Sequence, residues 1–315
     1  MKIGFLFPGQ GSQSHGMGKD LYDEYEDYRK VYDDVKKITG IDVAKLTFDE
    51  NEDVLNQTKN TQLAILTMSL AILRLLENEN INANASMGLS LGEYGALINS
   101  GALSFEDGIR IVKRRGELMQ ELCPEGNWSM AAVLGLDEYV VVDICNKIDG
   151  FVVPANFNCT GQIVISGEKE AIDKAIIVLK EAGAKKVIEL KTAGPFHTEK
   201  LQNAATELRK EFDDLKFKTF KTTVIKNLDG KEYSSLDDFK TILEKHIVNP
   251  VRFEQGIQTM LDTGIDTFVE VGPGKALSGF VKRASKDVKV LNINNLESFN
   301  LVISELKKIG GKCNE

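Results

Sequence analysis

Between Ser129 and Leu190 the chain reads as strand, helix, strand, strand, helix, strand, and few arrangements accept that order. "MAAVLGL" has the apolar run of a strand, and "LDEYVVVDICNKI" has the spacing of a helix. "FVVPANFNCTGQIVISG" gives two strands about a Thr160-Gly161 turn. "EKEAIDKAIIVLKEAG" is a second helix, and "KKVIEL" closes the set. The pattern is the split βαβ, or ferredoxin-like, arrangement. It interrupts a longer alternation, in which "KIGFLF" and "ANASM" are strands and "LYDEYEDYRKVYDDVKKI", "NTQLAILTMSLAILRLLEN" and "LGEYGALINSG" are helices. Beyond it come further helices, a "DTFVEVG" strand and a last helix, "SFNLVISELKKIG". Alternating strands and helices predict an α/β body with a largely parallel sheet. The expected organisation is an α/β body from residues 1–127 and 197–315, with an inserted ferredoxin-like subdomain at 128–196.

Composition narrows the function classes. The 315 residues are 42% hydrophobic and 27% charged, with a net charge of -8, which argues against a dedicated nucleic-acid binder. No stretch approaches ~18 uninterrupted apolar residues, and the apolar start before Pro8 is too short for a signal peptide. Cys123, Cys145, Cys159 and Cys313 show no C-x-x-C spacing and have no nearby histidine. Neither a zinc site nor a disulfide framework is expected, and a reduced, cytoplasmic setting follows.

"ASMGLSLGEYGA" places Ser90 between Gly88 and Gly92 as Gly-x-Ser-x-Gly, directly before a helix. A nucleophile elbow has this form, although chance also produces it in a glycine-rich chain. A serine nucleophile needs a base, and there are three histidines. His15 lies in the turn "GSQSHGMG", where an exposed loop residue is the simpler reading. His246 ends a helix before Pro250. His197, in "TAGPFHTEKL", stands where the inserted segment gives way to a helix, beside the junction of the two parts, and it leads the three.

In "SFEDGIRIVKRRGELMQEL", Ser104 and Asp107 form a capping box. Arg115 falls on the apolar stripe with Ile111, Leu118 and Met119, facing the core. Either it snorkels to water or it pairs with a carboxylate, from the protein or from a substrate. "PGQGSQSHGMGK" fails the dinucleotide pattern, since Ser14 stands where glycine is required, and neither it nor "EVGPGKALSGF" is a phosphate loop.

With "FPGQGSQ", "TQLAIL", "GLSLGEYGAL", "RRGELMQE", "NFNCTGQIVISG", "GPFH", "NPVRF" and "EVGPGKAL" in order, the chain resembles the bacterial malonyl-CoA:acyl carrier protein transacylases from end to end. The resemblance implies a hydrolase-like parallel-sheet body carrying the ferredoxin-like insert, with Ser90 as the acyl-accepting nucleophile, His197 as its base and Arg115 as the clamp on the malonyl carboxylate. It implies an oxyanion hole from the backbone N–H groups of Gln10 and Leu91, and it has the main-chain carbonyl of His246 orient His197. Phe196 is similar to the ring that crowds out an α-methyl branch. Leu89 departs from the family's usual histidine. The implied partners are a CoA thioester and an acyl carrier protein, with no metal or redox cofactor, no nucleic acid and no membrane, for a monomeric enzyme of fatty acid biosynthesis. An acidic carrier calls for a local basic surface, for which Lys185, Lys186, Lys191, Lys275, Lys282 and Arg283 stand as candidates. The rivals are a serine thioesterase or esterase, which has no need of an inward Arg115, and a silent carrier-docking module.

Overall fold

The computed structural model describes residues 1–49, 51–190, 194–235 and 237–311; Lys191 and Cys313 lie outside them. The first sheet contains β1 (Ile3–Phe7), β2 (Ala85–Gly88), β7 (Thr223–Val224), β9 (Thr267–Val271) and β10 (Lys289–Ile293). Its order is β10-β9-β1-β2-β7, and every pair is parallel. β1, β2 and β9 are buried at every position, because helices cover both faces of a parallel sheet. Helix Thr58–Asn78 is buried on nearly all sides.

The second sheet is built from β3 (Trp128–Leu134), β4 (Val152–Cys159), β5 (Gln162–Glu168) and β6 (Lys186–Leu190), with helices Glu138–Lys147 and Lys169–Glu181 between them. Its order runs β6-β3-β5-β4, antiparallel throughout, in agreement with the βαββαβ reading. One strand comes from elsewhere. β8 (Val251–Arg252) adds itself parallel to β4, with Asn156 opposite Val251. The two helices pack on the face carrying Val133, Phe157 and Ile165. The opposite face, with Met130, Ala132, Asn156, Asn158 and Val164, looks into a cleft shared with the first sheet.

Local signals account for some of the helix ends. The Ser104 Oγ accepts from the Asp107 N–H at 3.1 Å and donates to the Asp107 carboxylate at 2.7 Å, so Ser104 caps the helix as its sequence position predicts. The single helix expected over "LYDEYEDYRKVYDDVKKI" is two, Lys19–Glu24 and Glu26–Thr39, broken at an extended Tyr25 whose ring packs edge-on against Phe299. A tertiary contact there overrides a helical pattern that continues through the break.

Candidate active site

The C-terminal ends of the parallel strands define one edge of the first sheet, where open α/β sheets form their crevice. β2 delivers Ser90 to that edge in the left-handed region, φ 52°, and helix Gly92–Asn99 starts two residues later. Both flanking glycines are sterically required. A Cβ on Gly88 would lie 1.9 Å from the Gly92 carbonyl carbon, and one on Gly92 would lie 2.0 Å from the Phe7 oxygen. Ser90 is therefore raised on a turn that only glycine neighbours can close.

His197, also left-handed at φ 59°, faces it from the start of the segment leading to helix Gln202–Glu211. The Ser90 Oγ lies 2.8 Å from the His197 Nε2. The His197 Nδ1 lies 3.0 Å from the main-chain oxygen of His246. A carbonyl only accepts, so the proton sits on Nδ1 and Nε2 is left as the acceptor for the serine hydroxyl. The His246 carbonyl is available because it falls in the last turn of helix Phe239–Val248, where carbonyls have no partner within the helix. Burial, and then the nearby Arg115 cation, pull the His197 pKa from 6.5 to about 4, so the ring is neutral at physiological pH.

Arg115 is 1% exposed on helix Phe105–Glu121, so its inward direction is settled and snorkelling is ruled out. Among the described residues no carboxylate forms a hydrogen bond or ion pair with Arg115. Its Nη1 donates to Gln62 at 2.6 Å and its Nη2 to the Ser90 Oγ at 3.0 Å, while its buried Nε has no partner among the described residues. The cation thus sits on the nucleophile candidate itself.

These groups open onto a cavity of about 270 Å3, lined mainly by apolar side chains that include Leu89, Met119, Phe196 and Phe280. Leu89 gives the floor beside Ser90 a hydrocarbon surface. Gln10 lines the cavity, and Leu91 caps the helix that follows Ser90. Among the described residues neither backbone N–H donates to a protein acceptor. His246 contributes its carbonyl, while its ring is buried with Nδ1 3.5 Å from Glu93. His15 stays apart, in an exposed turn. Among the described residues no three His, Cys, Asp or Glu gather as metal ligands, and no helix is long and apolar enough to cross a membrane.

Four groups around the site escaped sequence reasoning: Gln62, Glu93, Asn227 and Tyr233. Gln62 carried a signal, a polar residue directly before the apolar run at 63–66 of a buried helix. Glu93 is fully buried and accepts from the Asn227 N–H at 2.9 Å and from the Tyr233 hydroxyl. Burial raises its pKa from 4.5 to about 7, against the pull of those two donors.

A polarised hydroxyl, a neutral imidazole and a buried cation in an apolar cleft are the equipment of a serine acyltransferase, and the acyl transferase domain family matches residues 4–308 of the chain. The transacylase of Bacillus subtilis, a malonyl CoA-acyl carrier protein transacylase, is 39% identical over 310 residues, 98% of either chain. The structure of the corresponding transacylase from Clostridium perfringens superposes with a TM-score of 0.95 at 42% identity over 100% of both chains. A malonyl-transacylase solved in complex with a type II polyketide-synthase acyl-carrier protein superposes at 0.93, with 33% identity, covering 97% of this chain and 100% of that one. The chain belongs to the malonyl CoA-acyl carrier protein transacylases.

Proposed function

We propose that the chain transfers a malonyl group from malonyl-CoA to the phosphopantetheine thiol of acyl carrier protein through a malonyl-Ser90 ester. The observation that carries this reading is the Arg115 guanidinium bonded to the Ser90 Oγ inside an apolar cleft. An esterase transferring an uncharged acyl group has no use for a buried cation at its nucleophile, whereas a malonyl thioester brings a carboxylate that a planar guanidinium holds well.

In the first half-reaction the His197 Nε2 takes the Ser90 proton as the oxygen attacks the thioester carbon. The tetrahedral oxyanion is held by the N–H groups of Gln10 and Leu91, each typically worth ~100- to 1000-fold in rate. The C–S bond then breaks, His197 returns the proton to sulfur, and CoA leaves as the thiol. In the second half the carrier thiol gives its proton to His197 and attacks the ester, and the proton returns to the Ser90 oxygen. Protons and bonds balance with protein groups and two thiols alone, so no metal or redox group enters the reaction. Phe196 crowds the α-carbon of the bound acyl group. Residues 128–196 act as a subdomain that walls the cleft, inserted in a body of 1–127 and 197–315. Exposed Lys275, Lys282 and Arg283 offer the acidic carrier a basic approach, with Arg283 tied at 2.7 Å to Gln162 on the cleft wall. The cellular setting is cytoplasmic fatty acid biosynthesis.

The test is intact-protein mass after incubation with malonyl-CoA, for the wild type and Arg115→Ala, followed by holo acyl carrier protein. A malonyl adduct discharged to the carrier and reduced in the variant is expected. An adduct lost to water at the same rate with or without carrier favours an esterase instead.

A further inference from the structure

The elbow is held from outside its own strand and helix. Asn227, 1% exposed, lies in the loop after β7. Its Oδ1 accepts from the Ser90 N–H at 2.7 Å, and its Nδ2 donates to the Gly88 carbonyl at 2.7 Å. One planar amide therefore bridges the main chain on both sides of Leu89. Asn227 is anchored in turn, since its N–H donates to Glu93 at 2.9 Å and its carbonyl accepts from the Arg252 N–H at 2.7 Å. The Tyr233 hydroxyl donates to the other Glu93 oxygen.

We propose that Asn227 is a positioning residue for the nucleophile, its amide holding Ser90 in the left-handed backbone from which Oγ meets His197. The proposal rests on reading Ser90 as the nucleophile. A left-handed serine persists only where its surroundings over-determine it, and the Asn227 amide supplies both of the needed bonds in one rigid group. The Leu91 N–H follows directly, so the same bridge also aims an oxyanion donor. Arg115 and the apolar walls stand on other elements, so releasing the bridge would disturb the chemical step more than substrate binding.

The test uses two readouts on the same purified proteins. One is labelling of Ser90 by an alkyl fluorophosphonate, which reports nucleophile reactivity without malonyl binding; the other is steady-state malonyl transfer. Asn227→Ala is expected to slow both labelling and kcat on the order of 100-fold, the cost of misplacing a reacting atom by about 1 Å, with KM for malonyl-CoA held within about twofold. Asn227→Asp keeps the acceptor for Ser90 but, when ionised, sets a carboxylate against the Gly88 carbonyl. Its activity relative to wild type should therefore climb as pH is lowered from 8 to 5, because the protonated carboxyl donates where the amide did. Tyr233→Phe, which leaves the bridge in place, is expected to lose about tenfold or less. Wild-type labelling and kcat in the Asn227 variants overturn the proposal, and so does a loss confined to KM. Should Asn227→Ala fail to fold, a flat pH response of Asn227→Asp overturns it alone. Wild-type protein labelled no faster than Ser90→Ala would instead remove the nucleophile reading, and the bridge with it.

Discussion

The Arg115 Nη2 donates to the Ser90 Oγ across 3.0 Å, so the resting hydroxyl accepts from a cation while it donates to His197 at 2.8 Å. In the proposed reaction the cation favours the alkoxide character that attack requires. It also lowers the proton affinity of His197, so one guanidinium adjusts both partners of the proton transfer.

Removing that cation separates malonyl from neutral acyl groups. For Arg115→Ala we expect kcat/KM for malonyl-CoA to fall roughly 100- to 1000-fold, as for a truncated buried charge contact, while loading from acetyl-CoA changes far less. Arg115→Lys should restore little, because an ammonium cannot reach Gln62, Ser90 and a carboxylate together. Equal losses for both thioesters would show that Arg115 serves the nucleophile alone.

The pH profile should be displaced to acid. With the His197 pKa at about 4, the ring stays a competent base far below 6.5. The rate of malonyl-Ser90 formation is expected to be flat from pH 8 to 5 and to fall only as the pH approaches 4. Stability follows the same depressed group, since protonating the ring is harder in the folded state and stability is lost as pH falls from 6.5 toward 4. A half-maximal rate near pH 6.5 in rapid-quench measurements would contradict the placement of this ring.

Glu93 works in the opposite direction. Its carboxyl, raised from 4.5 to about 7 by burial, binds its proton more tightly in the folded state than in the unfolded chain. Between pH 4.5 and 7 unfolding therefore releases that proton, and its contribution to stability declines as pH rises. His246, whose Nδ1 lies 3.5 Å from Glu93, is held neutral by burial in the folded protein. The Tm of Glu93→Gln minus that of wild type should grow from pH 5 to pH 8, measured by differential scanning calorimetry. An unchanged difference would place the raised pKa elsewhere.

Gly92→Ala tests the elbow sterically. The added carbon meets the Phe7 oxygen at 2.0 Å, which neither β1 nor the helix can yield to cheaply. A loss of about 3 kcal/mol is expected in urea denaturation, with Ser90 reactivity falling alongside. Full stability would mean that the turn has slack.

The inserted sheet was legible because its strands and helices each run long enough to show a period, and its turn residues fall between them. Arg115 was legible because it stands on the wrong stripe of an amphipathic helix. β7 and β8 are two residues long and carry no period, and half-buried β10 has no clear alternation, so all three passed unseen. Asn227 gave no sign either. Its partners Ser90, Gly88 and Glu93 lie more than a hundred positions away, and only tertiary structure brings them together.

The stretch from His246 to Arg252 touches three separate structures along its length. The His246 oxygen meets the His197 ring, Val251 pairs with Asn156 on the far wall, and the Arg252 N–H binds the Asn227 carbonyl. It behaves as a gauge block whose length is a specification. A one-residue insertion there would put base, wall and elbow out of step together. Seven residues of this chain thus carry a length requirement that no single contact among them reveals.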